Sequence, residues 1–93
     1  MTATTEHVDA IVIGAGLAGL TAAHQLSRTR RVALVEARTR VGGRAHSVPA
    51  GGGVIEAGAT WFWANEPVIR AAATDLGLEI YSQDIEGDAP FET

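Results

Sequence analysis

Apolar positions along this chain fall into blocks whose spacing changes from one block to the next. Val8, Ala10, Ile11, Val12 and Ile13 form a short, mostly β-branched run that Gly14 ends, the pattern of a strand buried on both faces. From Leu17 to about Ser27 the residues are good helix formers, and Leu20, Ala23 and Leu26 return at helical spacing. Arg28, Arg30 and Arg31 follow, placing positive charge where the helix dipole favours it. Val32 to Val35 is a second apolar run. Strand, helix and strand within about 30 residues predict a right-handed parallel βαβ unit.

The pattern then changes character. Residues 38–53 hold Arg38, Arg40, Arg44, Pro49 and five glycines, at 42, 43, 51, 52 and 53, which predicts a loop or irregular hairpin and excludes a helix. Asn65, Glu66 and Pro67 read as a helix start; Val68, Ile69, Ala72 and Leu76 keep helical spacing, and Gly77 is placed to end it. Leu78 to Tyr81 is then expected as a short strand. Beyond Gln83 the acidic residues Asp84, Glu86, Asp88 and Glu92 show no periodicity up to Thr93, and the chain has no internal repeat.

Composition narrows the partners more than the fold. With 93 residues the chain suffices for one small domain, and 46% hydrophobic and 19% charged residues are globular proportions. Seven arginines and no lysine within a net charge of −4 leave no basic face suited to a nucleic-acid backbone. The absence of cysteine removes disulfides, thiolate metal sites and cysteine catalysis. His7, His24 and His46 have no metal-ligand spacing with acidic residues and read as solvated or packed, so no metal is expected. The polar start, without Lys or Arg before the first apolar run, does not resemble a secretory signal, and no apolar run reaches membrane-helix length. The expected setting is soluble and cytoplasmic.

The chemistry begins at Gly14-Ala15-Gly16-Leu17-Ala18-Gly19, a G-x-G-x-x-G segment between a predicted strand and a predicted helix, the context that gives the motif meaning. Gly14 serves the tight turn, Gly16 the approach of a pyrophosphate to the backbone, and Gly19 close helix-to-strand packing. The phosphates then sit at the helix N-terminus, where free N–H groups and the dipole hold them without lysine. Glu36 stands twenty residues after Gly16 at the end of the second strand, where a carboxylate accepts hydrogen bonds from a ribose diol. Its charge disfavours a 2′-phosphate, so FAD or NAD is expected over NADP. The alternative is a solvated glutamate at a strand end.

The next stretch, Glu36-Ala37-Arg38-Thr39-Arg40-Val41-Gly42-Gly43-Arg44, taken with Val8 to Gly16, resembles the flavoproteins with two dinucleotide-binding domains. In those, a paired glycine with a following arginine adjoins the FAD pyrophosphate, and Arg44 has forked donors suited to phosphate oxygens or a flavin carbonyl. Arg38 and Arg40 read equally well as solvated surface charges. Ile55-Glu56-Ala57-Gly58-Ala59-Thr60-Trp61-Phe62 is similar to the segment beside the flavin ring in flavin-dependent amine oxidases, the family of flavin monoamine oxidases and L-amino-acid oxidases. That likeness implies a backbone approach to the isoalloxazine at Gly58 and Ala59, with Trp61 packed nearby; Trp63 reads as ordinary packing. Carotenoid desaturases and protoporphyrinogen oxidases share the first two motifs, and the Gly58 to Trp61 segment turns the reading toward amines.

The resemblance implies a Rossmann-like α/β FAD-binding unit, the N-terminal part of a larger FAD domain. The cofactor-binding residues it implies are Gly14, Ala15, Gly16, Leu17, Ala18, Gly19, Glu36, Ala37, Arg38, Gly42, Gly43, Arg44, Gly58, Ala59, Thr60 and Trp61. No catalytic residue is expected here: family enzymes are several times longer, their substrate domain and the lysine near the flavin come later, and this chain has no lysine. The βαβ unit also lacks a third strand, so it is expected to be incomplete alone: either the small subunit of a naturally split or cleaved enzyme, completed by a larger partner chain with FAD spanning both, which is the favoured reading, or a truncated N-terminal fragment. The implied reaction is hydride removal from the C–N bond of a small amine or amino acid, with dioxygen as acceptor. A carotenoid-desaturase-like or protoporphyrinogen-oxidase-like enzyme is one alternative; a noncatalytic nucleotide-binding module is another.

Overall fold

The structure is a computed structural model that describes residues 3–83, 86 and 87. Its elements run β1 (Ala10–Ile13), α1 (Leu17–Leu26), β2 (Val32–Val35), β3 (Ser47–Ala50), β4 (Gly53–Glu56) and α2 (Pro67–Asp75). Two units result: Met1–Trp61 holds β1 through β4, and Phe62–Thr93 holds α2. Asp84, Asp88 and Glu92 of the acidic stretch lie outside the described residues.

β1 and β2 pair in parallel with Ala10 opposite Val32 and Ile13 opposite Val35, and α1 crosses between them and packs on both. The expected βαβ order is therefore present, with β1 two residues shorter than the apolar run. Asp9 fixes where the pairing starts. Its N–H donates to the Arg31 carbonyl at 2.8 Å while its Oδ2 accepts the Arg31 N–H, also at 2.8 Å. At the other end the Gly14 N–H donates to the Val35 carbonyl at 2.8 Å and carries the ladder into the turn.

Alternation along β1 sends Val12 toward α1 and Ile11 and Ile13 to the opposite face. The expectation of a strand buried on both faces needs correction at this point. Ile11 is 64% and Ile13 86% exposed, with Val35 beside Ile13 exposed as well, because α1 covers one face of the sheet only. Ala15 is the sole fully buried apolar residue among those described.

Residues 47–56 form a regular hairpin, where only a loop or irregular hairpin is expected from composition. β3 and β4 pair antiparallel, Val48 opposite Ile55, across a turn whose central residues Gly51 and Gly52 have φ of +53° and +81°. Two successive left-handed residues make the turn twist with the strands, and glycine adopts them without strain. Ser47 Oγ donates across the open end to the Glu56 carboxylate at 2.7 Å.

In the second unit, Pro67 occupies the first turn of α2, as its fixed φ and missing N–H allow. The Glu66 carboxylate just before it accepts the Trp63 N–H at 2.6 Å, and the Arg70 guanidinium lies over the Phe62 ring at 5.8 Å. The helix ends in a Schellman closure: the Gly77 N–H donates to Thr74 at 3.0 Å and the Leu78 N–H reaches back to Ala73 at 2.8 Å. The short strand expected at Leu78 to Tyr81 does not form. The Leu78 N–H is taken by the helix, and no described strand lies alongside for the rest to pair with.

A Cβ at Gly19 would run into the Gly14 carbonyl oxygen, which is backbone and cannot turn aside. Gly19→Ala is therefore expected to push α1 off β1, at about 1–3 kcal/mol for overpacking. Thermal unfolding followed by circular dichroism should show a lower midpoint; an unchanged midpoint would mean that α1 is free to shift.

Candidate functional site

The site is built outward from one residue. Gly14 turns the chain out of β1 with φ of +99°, and Ala15 follows with 1% of its surface exposed. The Ala15 N–H donates to Glu36 Oε1 at 2.9 Å, and its carbonyl accepts the Gly42 N–H at 2.7 Å. Gly16 then pairs in parallel with Gly42 and caps α1 with no side-chain acceptor, and no acidic residue occupies the first turn. The N–H groups at the start of α1 thus face outward with the positive end of the helix dipole, an arrangement that suits an anion.

The three motif glycines divide the work. Gly14 is needed for its dihedral and Gly19 for its contact with the Gly14 carbonyl. Neither reason holds at Gly16: its φ is −77°, open to any residue, and a Cβ there would meet nothing nearer than the Gly43 Cα at 3.9 Å. The fold does not need glycine at 16, whereas a ligand lying against the backbone would.

The opposite wall comes from the residues flanking the hairpin. The Ala57 N–H donates to His46 at 2.7 Å and the Ala59 N–H to Arg44 at 3.0 Å, so the β3–β4 ladder continues past its strands. A side chain at Gly58 would strike the Arg44 carbonyl, and one at Gly43 would press within 3.2 Å of the Gly16 Cα. These close approaches draw the helix start, the Gly42-Gly43-Arg44 segment and Gly58-Ala59 around one open cleft of about 990 Å³.

Of the residues expected to bind cofactor, Gly16, Leu17, Ala18, Arg38, Gly42, Gly43, Arg44, Gly58 and Ala59 line this cleft. Gly14, Ala15, Gly19, Glu36, Ala37, Thr60 and Trp61 do not line it; Ala15 and Glu36 are bonded to each other at the turn, and the Thr60 hydroxyl donates to the Gly58 carbonyl at 2.9 Å. Arg40, which the sequence left open between cleft and solvent, also lines it, as do Ala45, His46 and Ala57, which sequence reasoning did not include. The Gly51-Gly52 turn signal, followed outward as one ladder, would have found His46 and Ala57.

Three of the seven arginines, Arg38, Arg40 and Arg44, converge here in a chain of net charge −4. Arg40 is half-buried, while Arg38 and Arg44 are exposed. The N–H groups of Arg38 and Ala15 hold the Glu36 carboxyl below the usual carboxylate range, with a smaller contribution from the Arg38 charge. The walls therefore offer backbone donors and guanidinium groups to phosphate oxygens. The described residues contain no His, Cys, Asp and Glu group able to hold a metal ion. A flavin dinucleotide fits this donor set and the cradle left open at Gly16.

Comparison with known proteins agrees with this chemistry. Residues 17–92 match the family described as flavin containing amine oxidoreductase. Putrescine oxidase of Kocuria rosea is 42% identical over 84 residues, covering 89% of this chain and 18% of that protein. Pseudooxynicotine dehydrogenase of a Pseudomonas species is 44% identical over 73 residues, covering 77% of this chain and 15% of that protein. A solved structure of wild-type putrescine oxidase bound to putrescine matches with a TM-score of 0.73 at 37% identity, over 77% of this chain and 16% of that one. The chain spans less than a fifth of the length of these relatives.

Gly16→Ala should separate ligand approach from packing. The expected outcome is an unchanged circular dichroism spectrum and thermal midpoint, with uptake of a flavin dinucleotide weakened about tenfold or more, the loss of at least one charge-assisted hydrogen bond. Undiminished uptake would show that no ligand lies against Gly16.

Proposed function

The chain belongs to the flavin containing amine oxidoreductase family, and from that premise we propose that it supplies the adenosine-diphosphate side of an FAD site in an enzyme oxidising a C–N bond. The observation that carries this reading is the convergence of the glycine turn, Gly42-Gly43-Arg44 and Gly58-Ala59 on one cleft at the start of α1. Family members bind FAD; the roles of residues here follow from their placement. The first-turn N–H groups of α1, with Arg44 and Arg40, take the pyrophosphate oxygens. Glu36 accepts the ribose hydroxyls and repels a 2′-phosphate. Gly58 and Ala59 offer a backbone edge to the flavin end, with Trp61 beyond them.

When bound, FAD supplies the hydride acceptor for a carbon beside nitrogen, leaving an imine that water hydrolyses. The residues of this chain bind and orient the cofactor; none is assigned a proton transfer. We place the substrate-binding groups in a larger chain that also carries the rest of the FAD domain. The bare apolar face of Ile11, Ile13 and Val35 supports this, since a sheet of this kind is ordinarily covered on both sides. For the electron acceptor we favour dioxygen, although relatives bear both oxidase and dehydrogenase names.

Native mass spectrometry and a visible spectrum on one sample purified from its source test the assignment. The expected result is a yellow assembly containing this sequence, further polypeptide and one FAD. A stable colourless species of this chain alone would withdraw the catalytic assignment. With the yellow material, a panel of diamines, polyamines and amino acids should release hydrogen peroxide; amine-dependent flavin reduction without peroxide would move the acceptor away from dioxygen.

A further inference from the structure

Glu36 is placed for a ribose contact, yet both of its carboxylate oxygens already accept protein N–H groups. Oε1 takes that of Ala15 and Oε2 that of Arg38, each at 2.9 Å. Resting on the FAD reading, we propose that Glu36 is a positioning residue that staples the glycine turn into its phosphate-binding shape, so that phosphate binding depends on it even for a ligand with no ribose.

Three observations carry this. The Ala15 bond spans 21 positions and joins the end of β2 to the β1–α1 turn, so it is a tertiary link. The next peptide is held as well, its Ala15 carbonyl accepting the Gly42 N–H at 2.7 Å, so the carboxylate completes a clamp on the two peptides that flank the Ala15 Cα, just before α1 departs. Glycines on both sides of Ala15 give the turn no side chain of its own to hold it and a large conformational freedom to lose. Without the staple, the open helix start would be in its binding shape for only part of the time.

The staple and the ribose contact are compatible. An ionised carboxylate has about four acceptor positions; two N–H groups leave two for the hydroxyls of a diol. A carboxamide has no such capacity, because its NH₂ would face a backbone N–H. Aspartate, one methylene shorter, keeps the charge and can keep the local Arg38 bond but falls short of Ala15.

The test uses the purified protein stripped of flavin, with inorganic pyrophosphate as the probe, titrated by calorimetry against wild type, Glu36→Ala, Glu36→Gln and Glu36→Asp. If Glu36 served the ribose alone, losing its negative charge would leave pyrophosphate binding equal or tighter. The staple predicts the opposite: about tenfold weaker binding in all three variants, since apparent affinity falls with the fraction of turn in the competent shape. Equal or tighter binding in Glu36→Ala overturns the proposal. A second measurement needs no variant. The Ala15 and Arg38 amide resonances of the wild type should titrate together in the acid range, with one shared midpoint below that of an ordinary glutamate. The charged side chain acting on that carboxyl is that of Arg38. Because the folded-state value is depressed, the staple is whole above the ordinary carboxylate range and is lost as pH falls through the lowered midpoint. Separate midpoints for the two amides would overturn it. Wild-type flavin uptake with unimpaired pyrophosphate binding in Glu36→Ala would leave the FAD reading standing without the staple; a wild type taking up neither ligand would remove both.

Discussion

Ala15 is the point on which the first unit hangs. Its N–H is held by a carboxylate from the end of β2 and its carbonyl by the N–H of Gly42, so two segments distant in sequence meet at the two successive peptides that flank one Cα. A buried peptide group left unpaired costs as much as a lost hydrogen bond, which makes this double satisfaction a requirement of the turn's position. Everything in the cleft inherits its placement from that pair of peptides. The start of α1 follows directly from it, and the Gly42-Gly43-Arg44 segment is anchored through Gly42. From Arg44 the hairpin ladder carries Gly58 and Ala59 to the opposite wall. The site is thus assembled by backbone hydrogen bonds and close glycine approaches, with charged side chains added at the rim.

This construction explains what could be read from the chain and what could not. The β1–α1–β2 order was legible because strand and helix periods and the glycine turn are local signals. Glu36 was legible because its distance from the turn is set by the length of one helix and one strand. Arg40 was ambiguous: a guanidinium beside a glycine pair looks the same in sequence whether it faces a cleft or solvent. His46 and Ala57 gained their places through a ladder of alternating residues too short and glycine-rich to show a clear period. Ala15, the residue at the centre, has no functional group to draw notice, and its role became visible only through its partners. The strand expected at Leu78 to Tyr81 shows the opposite difficulty. Its composition suits a strand, but a strand needs a neighbour, and composition carries no information about whether one is present.

The same division holds for function. Residues that grip a nucleotide do so through spacing and backbone shape, the kind of information carried by the glycine turn, Gly42-Gly43-Arg44 and Gly58-Ala59. Residues that select one amine over another act through side chains arranged around the reacting carbon, which spacing and backbone shape do not specify. The family follows from the first kind of information, and the identity of the amine does not. The shared flavin chemistry and the differing names of the relatives fit that separation.

The bare face of the first sheet has a further consequence, for the fate of the polypeptide in the cell. Among the described residues, β1 and β2 form a two-stranded sheet with both outer edges unpaired, and one face shows isoleucines to water. An open edge next to an apolar surface is a template for any extended chain, including another copy of the same segment. Productive docking is first order when the cover lies in the same chain, whereas pairing between copies accelerates with concentration. The yield of native protein then becomes a contest between two rates. Slow synthesis and low copy number favour the native outcome, and high local concentration favours aggregates.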